Sequence, residues 1–439
     1  MKITVNILKS LILKLENELL FFEENTKFLR KRKMEIAKEY YVGLKIKNFL
    51  DSLKDTEKTI EDIKSEYQNF SEEKIPESNL TFGDVFVINE EETTSENIVY
   101  GLRICKDNKK YMPQLACEKV FQVTEAHRTI GEKTIVNCLQ IFEEYFSNIL
   151  KILISIKPEA YFYDKTIKYS SLINKNIEEL TNELINQEVN KLMYAVSETI
   201  EKANQTHKLK LEKYQDVWNA YIELDLRRNI IVHNEGKVNQ QYLTGLPEKY
   251  KKPQEGTQLI CDDIYVVESI ESLIKFAYLL YYLISDGEYE LAFLDSTAFD
   301  FLNSEKWDIA LFSYELLLAI PTLPNEQKTI YQINKLNAKK HINGIDSVKK
   351  EIEQLDVSGM ENRYVIAKKL LLDEHNDVNE LLKLDYPESF DFHMIQTWPI
   401  FIDYRKSEAY RDFINEHQTE YASYELKEEG SCVCPTLIS

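Results

Sequence analysis

Glycine and proline are scarce in this chain, with 11 glycines and 10 prolines among 439 residues. Turns in sheet-rich folds depend on these two residues, because glycine adopts positive φ angles and proline fixes φ. Their scarcity favours helices joined by short connections, and we therefore predict a mainly α protein. A content of 44% hydrophobic and 29% charged residues is typical of a globular chain, and this length allows two or three domains.

The net charge of −20 argues against broad nonspecific binding of nucleic acid, because a protein must neutralise the phosphates that it holds. An acidic balance still allows a local basic cleft. The six cysteines form no CxxC pair, so the sequence indicates neither a zinc site nor a disulfide framework. We expect reduced thiols, no metal and no cofactor. The cysteines are Cys105, Cys117, Cys138, Cys261, Cys432 and Cys434.

The N-terminus is apolar in places, but Lys9, Lys14 and Glu16 interrupt it. It contains no uninterrupted apolar region followed by a small-residue cleavage site, and no apolar run in the chain is long enough to span a bilayer. The sequence therefore predicts a cytoplasmic protein with no membrane partner.

Residues 1–74 have the periodicity of long helices. Two apolar stripes with spacings typical of helices predict a long-helix hairpin. The first stripe comprises Leu8, Leu11, Leu15, Leu19 and Phe22, and the second comprises Leu44, Phe49, Leu53, Ile60, Ile63 and Tyr67. Between them lies a basic cluster, which is either a phosphate-contacting patch or a solvated helical face. The cluster comprises Lys27, Arg30, Lys31, Arg32, Lys33 and Lys38.

Residues 75–123 have a different composition from the segment before them. Proline and glycine residues, including Pro76 and Pro113, punctuate two β-rich runs, FGDVFVI and NIVYGLRI. This pattern predicts a small strand-containing module or linker.

Helical periodicity returns in residues 124–288. One predicted helix ends before Pro158, another ends at Gly236, and a third long helix follows a loop. These helices predict a compact bundle.

Residues 289–427 contain three similar segments that begin at Ser296, Thr329 and Glu361, and the starts are 33 and 32 residues apart. Each segment is predicted to form two short helices with a polar break. The spacing resembles that of tetratricopeptide repeats, although most signature residues of that repeat are missing. An α-solenoid-like region would offer a concave surface to a protein partner, and a plain helical subdomain is the alternative. Residues 428–439 are expected to form a flexible tail.

The stretch LDLRRNIIVHNEG, residues 224–236, carries the principal candidate site. On a helix, Asn229 and His233 share a face because they are four residues apart. Arg228 lies about 140° around the helix axis from His233, so its long side chain must reach back. Histidine titrates near neutral pH, and arginine can bind phosphate through paired N–H groups. This combination suits phosphodiester chemistry.

The segment RNIIVH resembles the R-polar-xxx-H signature of HEPN-family ribonucleases. Arg228 matches the arginine, Asn229 the polar residue and His233 the histidine. The resemblance covers about residues 124–288, and an R-x4-H string alone has low specificity. Its specificity increases because the string lies on a predicted bundle helix, with asparagine second and Gly236 three residues after the histidine. One branch of the family has a modified tyrosine two residues after the histidine, but this chain has Glu235 there.

The resemblance implies a homodimer in which two copies of the motif helix line one RNA cleft. The implied reaction is attack of a ribose 2′-OH on the adjacent phosphate to give a 2′,3′-cyclic phosphate, without a metal ion. His233 would act as the general acid or base, Arg228 would stabilise charge on the phosphate oxygens, and Asn229 would orient His233 or contact the phosphate. Arg227 and Asn234 are candidate RNA-binding residues. The RNA would be tRNA or single-stranded RNA, and the role would be phage defence or a toxin system.

A purely structural role is the alternative for the same residues. Arg227 could simply pair with Glu223, and Arg228 could form a salt bridge with a core acid. His233 could cap carbonyls at the helix end, and Asn234 with Gly236 could form the helix stop. Some members of the HEPN family are noncatalytic. The chain would then be a helical dimerisation or adaptor protein whose repeats bind a protein partner.

Overall fold

The computed structural model describes residues 2–53, 58–76, 78, 80–89, 100–102, 112–163, 176–285 and 291–418. Packing divides the chain into two compact units, each made of separate segments. The first unit comprises Met1–Lys14, Ser147–Trp218 and Glu271–Ser439, and the second comprises Leu15–Phe146 and Asn219–Ile270. This division does not follow the five predicted sequence domains, whose boundaries remain predictions.

The described residues are mainly helical, which confirms the predicted mainly α class. Among them, no helix combines the length and the apolarity needed to cross a membrane. The described helices up to residue 303 are α1 Lys2–Glu39, α2 Tyr41–Ser52, α3 Ile60–Glu72, α4 Phe82–Val85, α5 Pro113–Ile156, α6 Glu159–Phe162, α7 Ile177–Leu192, α8 Val196–His207, α9 Gln215–His233, α10 Gln240–Gly245, α11 Asp263–Ile284 and α12 Leu291–Asn303. The later helices are α13 Trp307–Leu318, α14 Asn325–Asn343, α15 Ile345–Gln354, α16 Asn362–Leu371, α17 His375–Asp385, α18 Phe392–Thr397, α19 Ile402–Arg405 and α20 Glu408–Glu416.

The second arm of the predicted N-terminal hairpin is two helices, α2 and α3, and not one. A capping box starts α3, because the side chain of Thr59 accepts from the Asp62 N–H and the Asp62 carboxylate accepts from the Thr59 N–H. The capping box therefore starts a new helix, although the apolar stripe continues through it. The two helices bury a shared apolar core with α4, and Phe49 stacks on Phe70 with ring centroids 4.0 Å apart.

The predicted strand-containing module has two short antiparallel strands, β1 Phe86–Ile88 and β2 Tyr100–Leu102. The strand prediction for FGDVFVI is wrong in its first half, because Phe82–Val85 forms the helical turn α4. Asp84 accepts the backbone N–H of Thr81 and so favours a helical turn at this point. The other predicted strand, NIVYGLRI, lies partly outside the described residues.

Pro113 begins α5, although the sequence suggested that it punctuates the strand region. Proline is well suited to the first turn of a helix, where its missing N–H has no acceptor in any case. The helix therefore starts eleven residues before the predicted bundle at residue 124 and runs for 44 residues. It ends at Ile156, before Pro158, as predicted.

The three predicted helix pairs of the C-terminal region are present. They are α12 with α13, α14 with α15, and α16 with α17. The second and third pairs, together with the helices that follow them, share a core that extends from Ile333 to Phe413 and includes the fully buried Tyr404. Tetratricopeptide-like stacking of these pairs remains a prediction, and the predicted tail at 428–439 lies outside the described residues.

Gly131 allows α5 to pack closely against the segment that precedes α11. A Cβ atom at this position would lie 2.1 Å from the backbone oxygen of Cys261. Alanine normally stabilises a helix interior by about 1 kcal/mol relative to glycine, but a clash with backbone cannot be relieved by turning a side chain. We expect Gly131→Ala to lower the free energy of unfolding by about 2 kcal/mol.

Urea denaturation followed by circular dichroism measures this loss. Thr124→Ala, an exposed change on the same helix, is the control and should shift the free energy by less than about 0.5 kcal/mol. A Gly131→Ala protein as stable as the unaltered chain would contradict the close packing at Cys261.

Candidate functional site: the end of helix α9

Helix α9 carries the motif and ends at His233. The backbone N–H groups of Asn234 and Gly236 both donate to the carbonyl of Ile230, at 2.8 and 2.9 Å. Glu235 and Gly236 have φ angles of 53° and 76°, in the left-handed region that ends helices. The predicted stop at Gly236 is confirmed, and it leaves His233 in the last turn.

His233 is exposed and Asn229 is half-buried. His233 makes no hydrogen bond or ion pair with the described residues. One turn of the helix separates the two side chains, as the sequence predicted, and their imidazole and carboxamide groups lie on the same side of α9. The structure thus leaves His233 accessible to a ligand in solution.

Arg228 is held by two carboxylates of its own chain. Its Nη2 donates to Oε1 of Glu143 on α5 and to Oδ1 of Asp225 on α9, both at 2.9 Å. The side chain is 28% exposed, and its buried Nε has no hydrogen-bond partner among the described residues. The guanidinium is therefore fixed in orientation, while part of its surface faces solvent.

The two carboxylates that contact Arg228 do not favour an anion beside it. Together with the guanidinium, these two ionised groups have a formal charge of −1. Burial raises the pKa of Glu143, and Asp225 adds to this rise while Arg228 opposes it. Burial also works to lower the pKa of Arg228, but Asp225 and Glu143 outweigh it and the pKa is raised. Arg228 thus stays charged, and the Glu143 carboxylate is protonated more easily than a carboxylate in water.

Arg227 points into the protein and pairs with Glu223, as the structural alternative proposed. Its Nε donates to Oε1 of Glu223 at 2.9 Å, and its Nη1 donates to the carbonyl of Ile260 at 3.1 Å. The guanidinium lies over the ring of Tyr265, 3.8 Å from its centroid. The Glu223 carboxylate also accepts the hydroxyls of Tyr242 and Tyr265, at 2.8 and 2.7 Å. These contacts engage the Arg227 guanidinium in the packing of α9 against α10 and α11. RNA binding by Arg227 remains a prediction.

Asn234 contributes to the helix stop. Its side-chain Nδ2 donates to the carbonyl of Lys237 at 2.6 Å, and its own carbonyl accepts the Lys237 N–H at 2.9 Å. The structural alternative for Asn234 is therefore present, and contact of this residue with RNA remains a prediction.

Two acids of the site were not predicted from the sequence. Asp225 lies three residues before Arg228, so helical spacing alone could have suggested the pair. Glu143 lies 85 residues before Arg228 and had no signal in the sequence. Its position depends on the packing of α5 against α9, where the rings of Phe142 and Tyr221 are 5.3 Å apart.

In the described part of the chain, no three His, Cys, Asp or Glu residues are grouped so that they could hold a metal ion. Comparisons with protein-family models, with curated proteins and with solved structures found no match to this chain. Any function must therefore be argued from the geometry at the end of α9.

Proposed function

We propose that this protein is a metal-independent endoribonuclease that acts as a homodimer, with a composite site at the end of α9. The observation that carries the proposal is an exposed His233 one helical turn from Asn229 and close in sequence to an arginine locked by two carboxylates. An accessible imidazole supplies proton transfer near neutral pH, and a pre-oriented guanidinium supplies charge stabilisation without reorganisation. Both are what cleavage of an RNA phosphodiester by its own 2′-OH requires.

The roles follow from these positions. His233 accepts the proton of the attacking 2′-OH, or donates a proton to the leaving 5′-oxygen, and a 2′,3′-cyclic phosphate forms. Arg228 stabilises the negative charge on the phosphate oxygens in the transition state. Asn229 orients the imidazole or the phosphate.

The homodimer enters the proposal from the resemblance of RNIIVH to the HEPN motif, which implies two motif helices that face each other across a two-fold axis. A second copy would bring a second imidazole to the same cleft, so that one His233 acts as the base and the other as the acid.

A noncatalytic helical adaptor is the second candidate. The observation in its favour is that Arg228 already has two carboxylate partners within its own chain, as an arginine with a purely structural role would. The three C-terminal helix pairs would then bind a protein partner.

Incubation with tRNA and with single-stranded RNA in EDTA separates the two functions. We expect the dimeric fraction to cleave RNA in the chelator and to leave ends that carry a 2′,3′-cyclic phosphate, as shown by end-group analysis. Multi-angle light scattering reports the mass of the active fraction. A folded dimer that cleaves neither RNA would favour the adaptor, and cleavage that stops when EDTA is added would contradict the metal-independent mechanism.

A further inference from the structure

The second half of α1 has a basic character that the proposed reaction does not use. Residues 27–38 contain six Lys or Arg residues and one Glu, which gives a formal charge of +5 in a chain of net charge −20. The buried stripe of α1, with Leu15, Leu19 and Thr26, ends where this segment begins, and no residue from 27 to 39 is fully buried. Residues 27–38 therefore form a solvent-facing part of α1 with a formal charge of +5.

The exposed residues of this segment share one side of α1. At about 100° per residue, Phe21, Phe28, Lys31, Arg32 and Lys38 fall within roughly 120° of arc, opposite the buried stripe. We call these five residues the outer face of α1. Phe21 and Phe28 are 65% and 68% exposed, which is unusual for phenylalanine. Two aromatic rings and three cations thus lie on one accessible surface of α1.

The charges of the outer face are mostly uncompensated. Lys31 and Lys38 make no ion pair with the described residues. Arg32 pairs with Glu35 at 3.0 Å, but both side chains are about half exposed, so solvent screens the pair.

On the side of α1 that carries the buried stripe, a contact holds this segment near residues 260–263, a turn that the motif helix α9 also contacts. Nε of Arg30 lies 3.0 Å from Oδ2 of Asp263, the first residue of α11. Three residues earlier, the carbonyl of Ile260 accepts Nη1 of Arg227, next to Arg228 on α9. The same turn, residues 260–263, therefore touches both α1 and the motif helix.

We infer that the outer face of α1 binds the sugar–phosphate backbone and bases of single-stranded RNA and so delivers substrate to the end of α9. The choice of RNA rests on the proposed function. Lysine and arginine neutralise phosphates, and exposed aromatic rings stack on unpaired bases, which is the combination that holds single strands. The acidic remainder of the chain confines this binding to the outer face.

Fluorescence anisotropy with labelled single-stranded RNA tests the inference in the His233→Ala background, where binding is read without cleavage. The test variant is Lys31→Glu, Arg32→Glu and Lys38→Glu together. We expect its affinity to fall by about 30- to 100-fold near 0.1 M salt, and the slope of log K against log salt to decrease by about 2. The matched control is Lys328→Glu, Lys349→Glu and Lys350→Glu, three exposed lysines in the C-terminal region, which changes the net charge equally and should leave affinity within about threefold.

Phe21→Ala with Phe28→Ala is the second variant, and it should weaken binding by about tenfold or more without changing the salt slope. Equal weakening by the test and control charge variants, or no RNA binding at all, would overturn the inference. Two other results for the test charge variant would also overturn it, if the affinity for RNA stays unchanged. Loss of dimer mass would show that the outer face contacts a second copy, and loss of binding to vesicles of anionic lipid would show that it contacts a membrane. Binding that depends on the outer face in a protein that cleaves no RNA would refute the proposed function and leave this inference standing.

Discussion

Replacing His233 with alanine is expected to lower the rate of RNA cleavage by about 10²- to 10⁴-fold, because the imidazole is the group proposed to move protons in both halves of the reaction. The side chain is exposed and has no partner among the described residues, so its removal should leave the fold unchanged. The loss should therefore appear in kcat with little effect on the affinity for RNA. Single-turnover cleavage in EDTA measures it.

Val232→Ala is the matched control for this experiment. Val232 is exposed on the same turn of α9 and carries no group that can transfer a proton. Its rate should stay within about threefold, provided that light scattering shows the dimer intact. If His233→Ala cleaves RNA at nearly the unaltered rate, His233 is not the acid–base group and the site assignment is wrong.

Replacing Arg227 with methionine is expected to lower the free energy of unfolding by about 3–5 kcal/mol, because it leaves a buried carboxylate without its cation. The Arg227 side chain is 13% exposed, and Glu223 is buried beneath it. Two tyrosine hydroxyls would still donate to Glu223, but neither supplies a positive charge. Urea denaturation followed by circular dichroism gives the change in the midpoint.

Two further variants sharpen this stability test. Arg227→Met with Glu223→Gln removes the buried charge as well as its partner and should recover part of the loss. Arg32→Met removes an exposed arginine whose partner Glu35 is on the surface, and it should cost no more than about 1 kcal/mol. An Arg227→Met protein that unfolds at the same urea concentration as the unaltered chain would show that the pair with Glu223 contributes nothing.

The difference between Arg227 and Arg228 shows which features of the site local sequence can predict. The two arginines are adjacent in the chain. The motif resemblance assigned Arg228 to chemistry, whereas Arg227 lies outside the motif and was a candidate either for RNA binding or for pairing with Glu223. The structure turns Arg227 towards Glu223 and Tyr265, whereas Arg228 lies between Glu143 and Asp225. Neighbours on a helix are separated by about 100°, so adjacent residues meet different surroundings. Which surroundings each one meets depends on the helices packed there.

The α5 boundary and the N-terminal arm were misjudged for a different reason. Pro113 and the Thr59–Asp62 pair are local signals, and both were present in the sequence. Proline interrupts strands and also begins helices, so Pro113 alone is compatible with both, and only the residues that follow it decide between the two. The apolar stripe continues from α2 into α3 across the capping box. A stripe predicts which residues are buried, but it does not predict where one helix ends and the next begins.

The sequence by itself determined the features that depend on neighbours within one or two helical turns. These are the mainly helical fold, the stop of α9 at Gly236 and the shared side of Asn229 and His233. Tertiary structure alone decided that Glu143, 85 residues away, would hold Arg228, and that α1 would join the turn at Asp263. Backbone periodicity is set by residues a few positions apart, whereas these ion pairs depend on how distant helices pack. A chain with the same motif could place a different acid, or none, against its arginine.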